Sequence, residues 1–248
     1  MIESPQNEKL KLVRKLRERK HREREGLFAT EGEDLFEAGL AAGAQPRFVL
    51  VAADSGLEGE KVSPELLADV SSLGSGTRVI AVWPVPKAST DLSPDTGDRS
   101  HAPCIYLHGV GDPGNVGTIV RTVDAFLDGP VVLGPECADP YSPKAVRASM
   151  GSVFLSPPIK ADLQATPEPR VALVAHGGRE LDTLDGAATV CLGSEREGLP
   201  DAVVDQCDRK VTIALRPSGA ESLNVAAAAA IAAQRISSLA MREAQSDG

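Results

Sequence analysis

HGVGDPGNVGTIVRTVDAF, residues 108–126, is the stretch on which the fold reading turns. It holds G-x-G-x-x-G at Gly109, Gly111 and Gly114. CIYLHGV, 104–110, is apolar enough for a buried strand, and GTIVRTVDAF, 117–126, has helical spacing. Strand, turn and helix together form the setting of a dinucleotide-binding fingerprint, and Glu136 follows the next apolar run where a ribose-binding acid would stand. Pro113 speaks against that reading, because it stiffens the turn and removes an N–H where a pyrophosphate needs donors. No Lys-Ser/Thr pair follows, which excludes a P-loop. In the helix, Ile119, Val123 and Phe126 share one face and are expected to be buried, with Arg121 turned roughly 200° away. Asn115 is a candidate N-cap.

Downstream, strand and helix patterns alternate. Strands are expected at CIYLHGV, PVVLG, VALVAHG, ATVCLG and KVTIAL. Helices are expected after Gly114, around PKAVRASM, around LPDAVVDQC, and from Ser222 to about Arg242. This rhythm predicts a parallel sheet with helices on both faces and a ligand beyond the carboxyl ends of the strands. Upstream, a basic amphipathic helix with Leu12, Val13 and Leu16 inward precedes GLFATEG, a helix in EDLFEAGLAAGA, and strands in FVLVAA and TRVIAVW. KASTDLSPDTGDRSH, about 87–101, reads as a linker between a domain at 1–95 and one at 100–248.

The chain has 248 residues and net charge −9, which disfavours a general nucleic-acid-coating protein. Residues 1–26 are the exception, with nine Lys/Arg against five Glu. A local basic face is sufficient for phosphate contact, and the candidates are Arg14, Lys15, Arg22 and Arg24, with Lys144 and Arg147 further on. Aromatic residues make up only 3%, so a base-stacking platform is not expected. No signal peptide or membrane span is evident, and the four widely spaced cysteines suggest buried free thiols. The expected location is the cytoplasm. No metal-ligand cluster is visible.

Two further clusters carry polar residues after strands. LGSEREGLP, 192–200, brackets Ser194, Glu195 and Glu197 between Gly193 and Gly198, and a glycine there permits close approach to a flat ligand. IALRPSGAESLNVAAAAAIAAQ, 213–234, passes from strand through loop to an alanine-rich helix, with Ser222 as its expected cap.

The set DPGNVGTIVRTVDAF, LGSEREGLP and ESLNVAAAAAIA resembles, in order and spacing, the three motifs of the SpoU/TrmH family of RNA ribose 2′-O-methyltransferases, in the SPOUT class. VVLGPECADPYSPKAVRASMGSVF looks like that family's intervening segment, and the N-terminal part is similar to the small substrate-binding domain of many members. The resemblance implies a carboxyl-terminal SPOUT α/β trefoil-knot domain with a parallel sheet, preceded by a small α/β domain. It implies S-adenosylmethionine as cofactor and a homodimer formed through the knot. By the same resemblance Leu192, Gly193, Ser194, Ile213, Leu215 and Leu223 would line the cofactor pocket. Asn115, Arg121, Glu195, Ser222 and Asn224 match functional polar positions, Arg121 that of the catalytic arginine. The third motif differs in length from many members, so Ala214 or Leu215 competes with Ile213, and Arg196 replaces a common glycine. Because a guanidinium holds its proton above about pH 12, Arg121 is expected to grip phosphate and stabilise a developing alkoxide rather than serve as a base. Ribosomal RNA of the 23S type is the favoured substrate. A tRNA methyltransferase and a non-catalytic RNA-binding relative are the alternatives, and a nicotinamide-dependent oxidoreductase leaves LGSEREGL and SLNV without a place.

Overall fold

The computed structural model describes residues 1–73, 76–86 and 102–246; the linker expected at 87–101 lies outside them. Two compact units divide the chain: Met1–Lys87 with Asp139–Leu155, and Ala88–Ala138 with Ser156–Gly248.

In the first unit the basic segment forms two helices rather than one, α1 (Glu8–Lys15) and α2 (Arg19–Glu25). Asn7 caps α1 by accepting the Lys9 N–H at 2.9 Å. The break follows Leu16, whose carbonyl accepts Nη1 of Arg22 at 2.7 Å instead of the amide that a continuous helix would offer. Leu10, Val13 and Leu16 are buried; Leu12, expected inward, is only partly so. Then come β1 (Leu27–Glu31), α3 (Glu33–Ala41), β2 (Phe48–Ala52), β3 (Glu60–Val62), α4 (Pro64–Val70) and β4 (Val79–Pro84). The sheet order is β1-β4-β2-β3, with β4 antiparallel to both neighbours and β2 parallel to β3. GLFATEG holds β1, whose Leu27 joins the core under α1 while Phe28 joins a second, aromatic core.

The second unit begins with β5 (Cys104–Leu107), α5 (Pro113–Phe126) and β6 (Val131–Leu133). Residues 139–155, with α6 (Pro143–Ser149) and α7 (Ser152–Leu155), belong to the first unit. There Tyr141 and Phe154 complete the aromatic core, with ring centroids 5.1 Å from Phe28 and 5.0 Å from Trp83 respectively. Back in the second unit follow β7 (Ile159–Lys160), β8 (Arg170–Leu173), β9 (Arg179–Glu180), β10 (Thr189–Leu192), α8 (Asp201–Val204), β11 (Arg209–Thr212) and α9 (Val225–Ser246).

The expected parallel sheet is present: seven strands in the order β7-β6-β5-β10-β8-β11-β9, every pairing parallel. β5 and β10 are buried at every position, as strands covered on both faces must be. Over one face, Ile119, Val120 and Val123 of α5 share a core with Ala229, Ala232 and Ile236 of α9. Phe126, expected in that core, is 42% exposed. It is the last residue of α5, and the extended residue after it, Leu127, packs against the core instead.

Candidate active site

The glycine-rich turn ends in a helix start that suits its proline. Pro113 occupies the first helical position, where no N–H is required, and Asp112 is the cap, its Oδ1 accepting the Asn115 N–H at 3.0 Å. Asp112 thus does what was expected of Asn115, and the Asn115 side chain is left for other partners. At the other motif, α9 starts at Val225 rather than Ser222, because Asn224 is the residue that caps it. Its Oδ1 accepts the amides of Ala226 at 2.9 Å and Ala227 at 3.3 Å.

The three motifs meet through these side chains. Asn224 Nδ2 donates to Asn115 Oδ1 at 3.2 Å, and Asn115 Nδ2 donates to Oε1 of Glu195. Backbone amides only donate and the Glu195 carboxylate accepts, so the chain fixes the orientation of both asparagine amides. Glu195 sits on a tight loop in which Ser194 and Gly198 exchange backbone hydrogen bonds of 3.2 and 3.0 Å. Gly198 has φ +69, and Ser194 Oγ accepts the Glu197 N–H at 3.2 Å. Gly193 faces that loop: a Cβ there would lie 2.0 Å from the Gly198 carbonyl carbon. Its missing side chain therefore makes room for the chain's own backbone.

Beside this loop opens a cavity of about 460 Å³, within the roughly 300–1,000 Å³ usual for small-molecule sites. All six residues expected around a cofactor line it: Leu192, Gly193, Ser194, Ile213, Leu215 and Leu223. Ile213 and Leu215 both take part, whereas Ala214 between them is exposed and does not line it. Glu195 and Ser222 line it too; Asn115 and Asn224 connect to it through Glu195. Arg121 is exposed on α5 and has no hydrogen bond or ion pair among the described residues. His176 and Glu221 also line the cavity, and sequence reasoning had not named them. For His176 the signal was its place just past β8, which pairs with β10 and β11, so that the segments after these three strands converge.

The six basic residues expected to contact RNA all lie in the first unit. One does not fit that role. Arg22 is only 4% exposed, held by Asp139 at 2.7 Å and by the Leu16 carbonyl. It is a buried structural cation, out of reach of a phosphate. Arg14 pairs with Asp69 at 2.7 Å, Arg24 with Glu25 at 2.8 Å, and Arg147 donates to Ser72 Oγ at 2.8 Å. Lys15 and Lys144 are exposed. Among the described residues no group of three or more His, Cys, Asp or Glu is placed to hold a metal ion. No helix among them is long and apolar enough to cross a membrane.

Residues 102–234, which contain the cavity and all three motifs, match the SpoU rRNA Methylase family. The chain belongs to that family. It is an RNA methyltransferase of the SpoU type, and S-adenosylmethionine is the cofactor of such enzymes. Residues 7–83 match the MRM3-like substrate binding domain. Among curated SpoU relatives, the chain is 29% identical to the Bacillus subtilis 23S rRNA (guanosine(2553)-2′-O)-methyltransferase RlmP, the match covering 93% of this chain and 96% of that one. It is 31% identical to a Synechocystis protein described as an uncharacterized tRNA/rRNA methyltransferase, over 93% and 90% of the two chains. Among solved structures, the AdoMet-bound rRNA methyltransferase from Sinorhizobium meliloti superposes with a TM-score of 0.80 at 26% identity, over 94% of this chain and 95% of that one.

The SpoU cavity suits that cofactor on its own chemistry. Leu192, Ile213, Leu215 and Leu223 offer apolar surface for a flat base, and Glu195, Glu197 and Glu221 offer carboxylates for a cationic end.

Proposed function

We propose that the protein methylates a ribose 2′-hydroxyl in 23S-type ribosomal RNA, as a cytoplasmic homodimer. The observation that carries this reading is the hydrogen-bonded chain Asn224–Asn115–Glu195, which ties the three SpoU motifs together beside the cavity. The curated relative named for 23S rRNA 2′-O-methylation supports the choice of RNA. The dimer is supported by Phe126 and Ile231, apolar residues of α5 and α9 that are 42% and 37% exposed.

Bound S-adenosylmethionine supplies an electrophilic methyl group on a sulfonium that departs as a neutral thioether. The protein's tasks are therefore alignment and the management of one proton. The apolar residues of the cavity hold the base, and the Ser194–Gly198 loop sets Glu195 at its edge. Asn115 and Asn224 hold the Glu195 carboxylate in place, and Ser222 contributes a hydroxyl to the same wall. Arg121, exposed and free of protein partners among the described residues, meets the RNA phosphate and stabilises the alkoxide, a task for a group that keeps its charge. Lys15, Arg24, Lys144 and Arg147 in the N-terminal unit hold the RNA backbone.

The test is methyl transfer from labelled S-adenosylmethionine to unmodified ribosomal and transfer RNA, followed by mapping of 2′-O-methyl sites. Label at a single ribose of 23S rRNA is expected. Label confined to tRNA would replace the substrate, and absence of both label and cofactor binding would leave an RNA-binding protein.

A further inference from the structure

Behind the cofactor loop, on the opposite face of β10 from α5 and α9, lies a small core holding three of the four cysteines. Cys191 belongs to β10 and is fully buried; Cys207 follows α8 and is half-buried. Their Sγ atoms lie 3.8 Å apart in an S–H···S contact. Cys104 nearby is engaged with Thr189 Oγ1 at 3.3 Å. We propose that Cys191 and Cys207 are a peroxide-sensitive thiol pair whose disulfide closes a covalent ring around the cofactor loop and lowers the affinity of the cavity for S-adenosylmethionine.

The two thiols are not equivalent. The hydrogen bond between the two sulfurs holds the Cys207 thiol below its ordinary range, while the same bond and burial push Cys191 up. Burial likewise raises Cys104 to about 11, which keeps it protonated and inert. Cys207 is thus the nucleophile, and it is the one nearer solvent. Its sulfur attacks one peroxide oxygen, the O–O bond breaks, and a sulfenic acid forms with loss of water. Cys191 sulfur then attacks Cys207 Sγ; the S–O bond breaks and the hydroxyl leaves as water with the Cys191 proton. Two thiols lose two electrons in all, and the peroxide is reduced to two waters.

The ring joins the two ends of the segment that holds Leu192 to Leu199, all of which line the cavity. A disulfide requires the sulfurs to close from 3.8 Å to about 2.0 Å. β10 is fixed between two paired strands, whereas α8 is a single turn, so the movement falls on α8. Only the cap residue Pro200 separates Leu199 from α8, and a shift of α8 reaches the cavity wall there.

The experiment treats the full chain with hydrogen peroxide, maps disulfides by mass spectrometry, and measures S-adenosylmethionine binding by calorimetry. The expected result is a loss of about 2 Da with Cys191 and Cys207 peptides linked, and about tenfold weaker binding that dithiothreitol restores. Cys207→Ser is expected to bind the cofactor as the reduced protein does and to ignore peroxide. The absence of a linked Cys191–Cys207 peptide, or such a peptide with unchanged affinity, overturns the proposal. Disulfide mapping needs neither cofactor nor RNA, so it reads independently of the substrate assignment.

Discussion

Asn224 serves two elements at once: its Oδ1 caps α9 on the Ala226 amide at 2.9 Å, while its Nδ2 reaches Asn115 Oδ1 at 3.2 Å. The two duties separate by substitution. Asn224→Ala removes both, and loss of the cap costs about 1 kcal/mol in a denaturation experiment. Asn224→Asp keeps an acceptor for the cap but sets an acceptor against Asn115. It is expected to melt close to the parent protein while methyl transfer falls by roughly 10-fold or more. If both variants lose activity only in proportion to stability, the contact to Asn115 has no part in the reaction.

Gly193 and Gly198 differ in why they are glycine. A Cβ on Gly193 would meet backbone at 2.0 Å, whereas one on Gly198 meets nothing within 4 Å and suffers only from its φ of +69. Gly193→Ala must therefore displace the loop, at a cost of about 1–3 kcal/mol, with loss of cofactor binding by calorimetry. Gly198→Ala carries only the left-handed backbone penalty of about 1 kcal/mol, and is expected to retain most of its affinity.

These local details mark where the sequence could be read and where it could not. The parallel strands were legible because they are continuous apolar runs, and the cavity residues because they follow those runs. Nothing in periodicity says that β10 enters the sheet between β5 and β8, since strand order is set by packing between distant segments. Caps slipped for a related reason: Asp112, Asn115, Ser222 and Asn224 all have capping side chains, and only the helix start decides which one faces the free amides. Arg22 reads as one more surface cation among nine, because its partner Asp139 is far away in sequence.

Removing one member of that Arg22–Asp139 pair leaves a buried charge alone. Arg22→Ala is expected to destabilise the protein by about 3–5 kcal/mol in chemical denaturation. Arg22→Met combined with Asp139→Leu should recover most of the loss. Recovery would show that the pair holds structure rather than RNA.

Lys15, exposed on α1, gives the contrast. Lys15→Ala is expected to leave stability within about 0.5 kcal/mol, to weaken RNA binding, and to lower the salt slope of log affinity by about 1. An unchanged slope would remove Lys15 from the RNA face.

Arg121→Lys tests the guanidinium itself. The side chain is exposed and unpaired among the described residues, so the melting temperature is expected to hold. Turnover should drop by about 10²–10³-fold if the planar fork stabilises the transition state, and near-normal turnover would reduce Arg121 to a point charge.

The return of residues 139–155 to the first unit bears on how such a protein can be taken apart. A fragment ending at the linker would carry Phe28 and Trp83 without Tyr141 or Phe154, half of an aromatic core facing water. Cloning the amino-terminal piece alone should therefore yield a sticky, poorly soluble product.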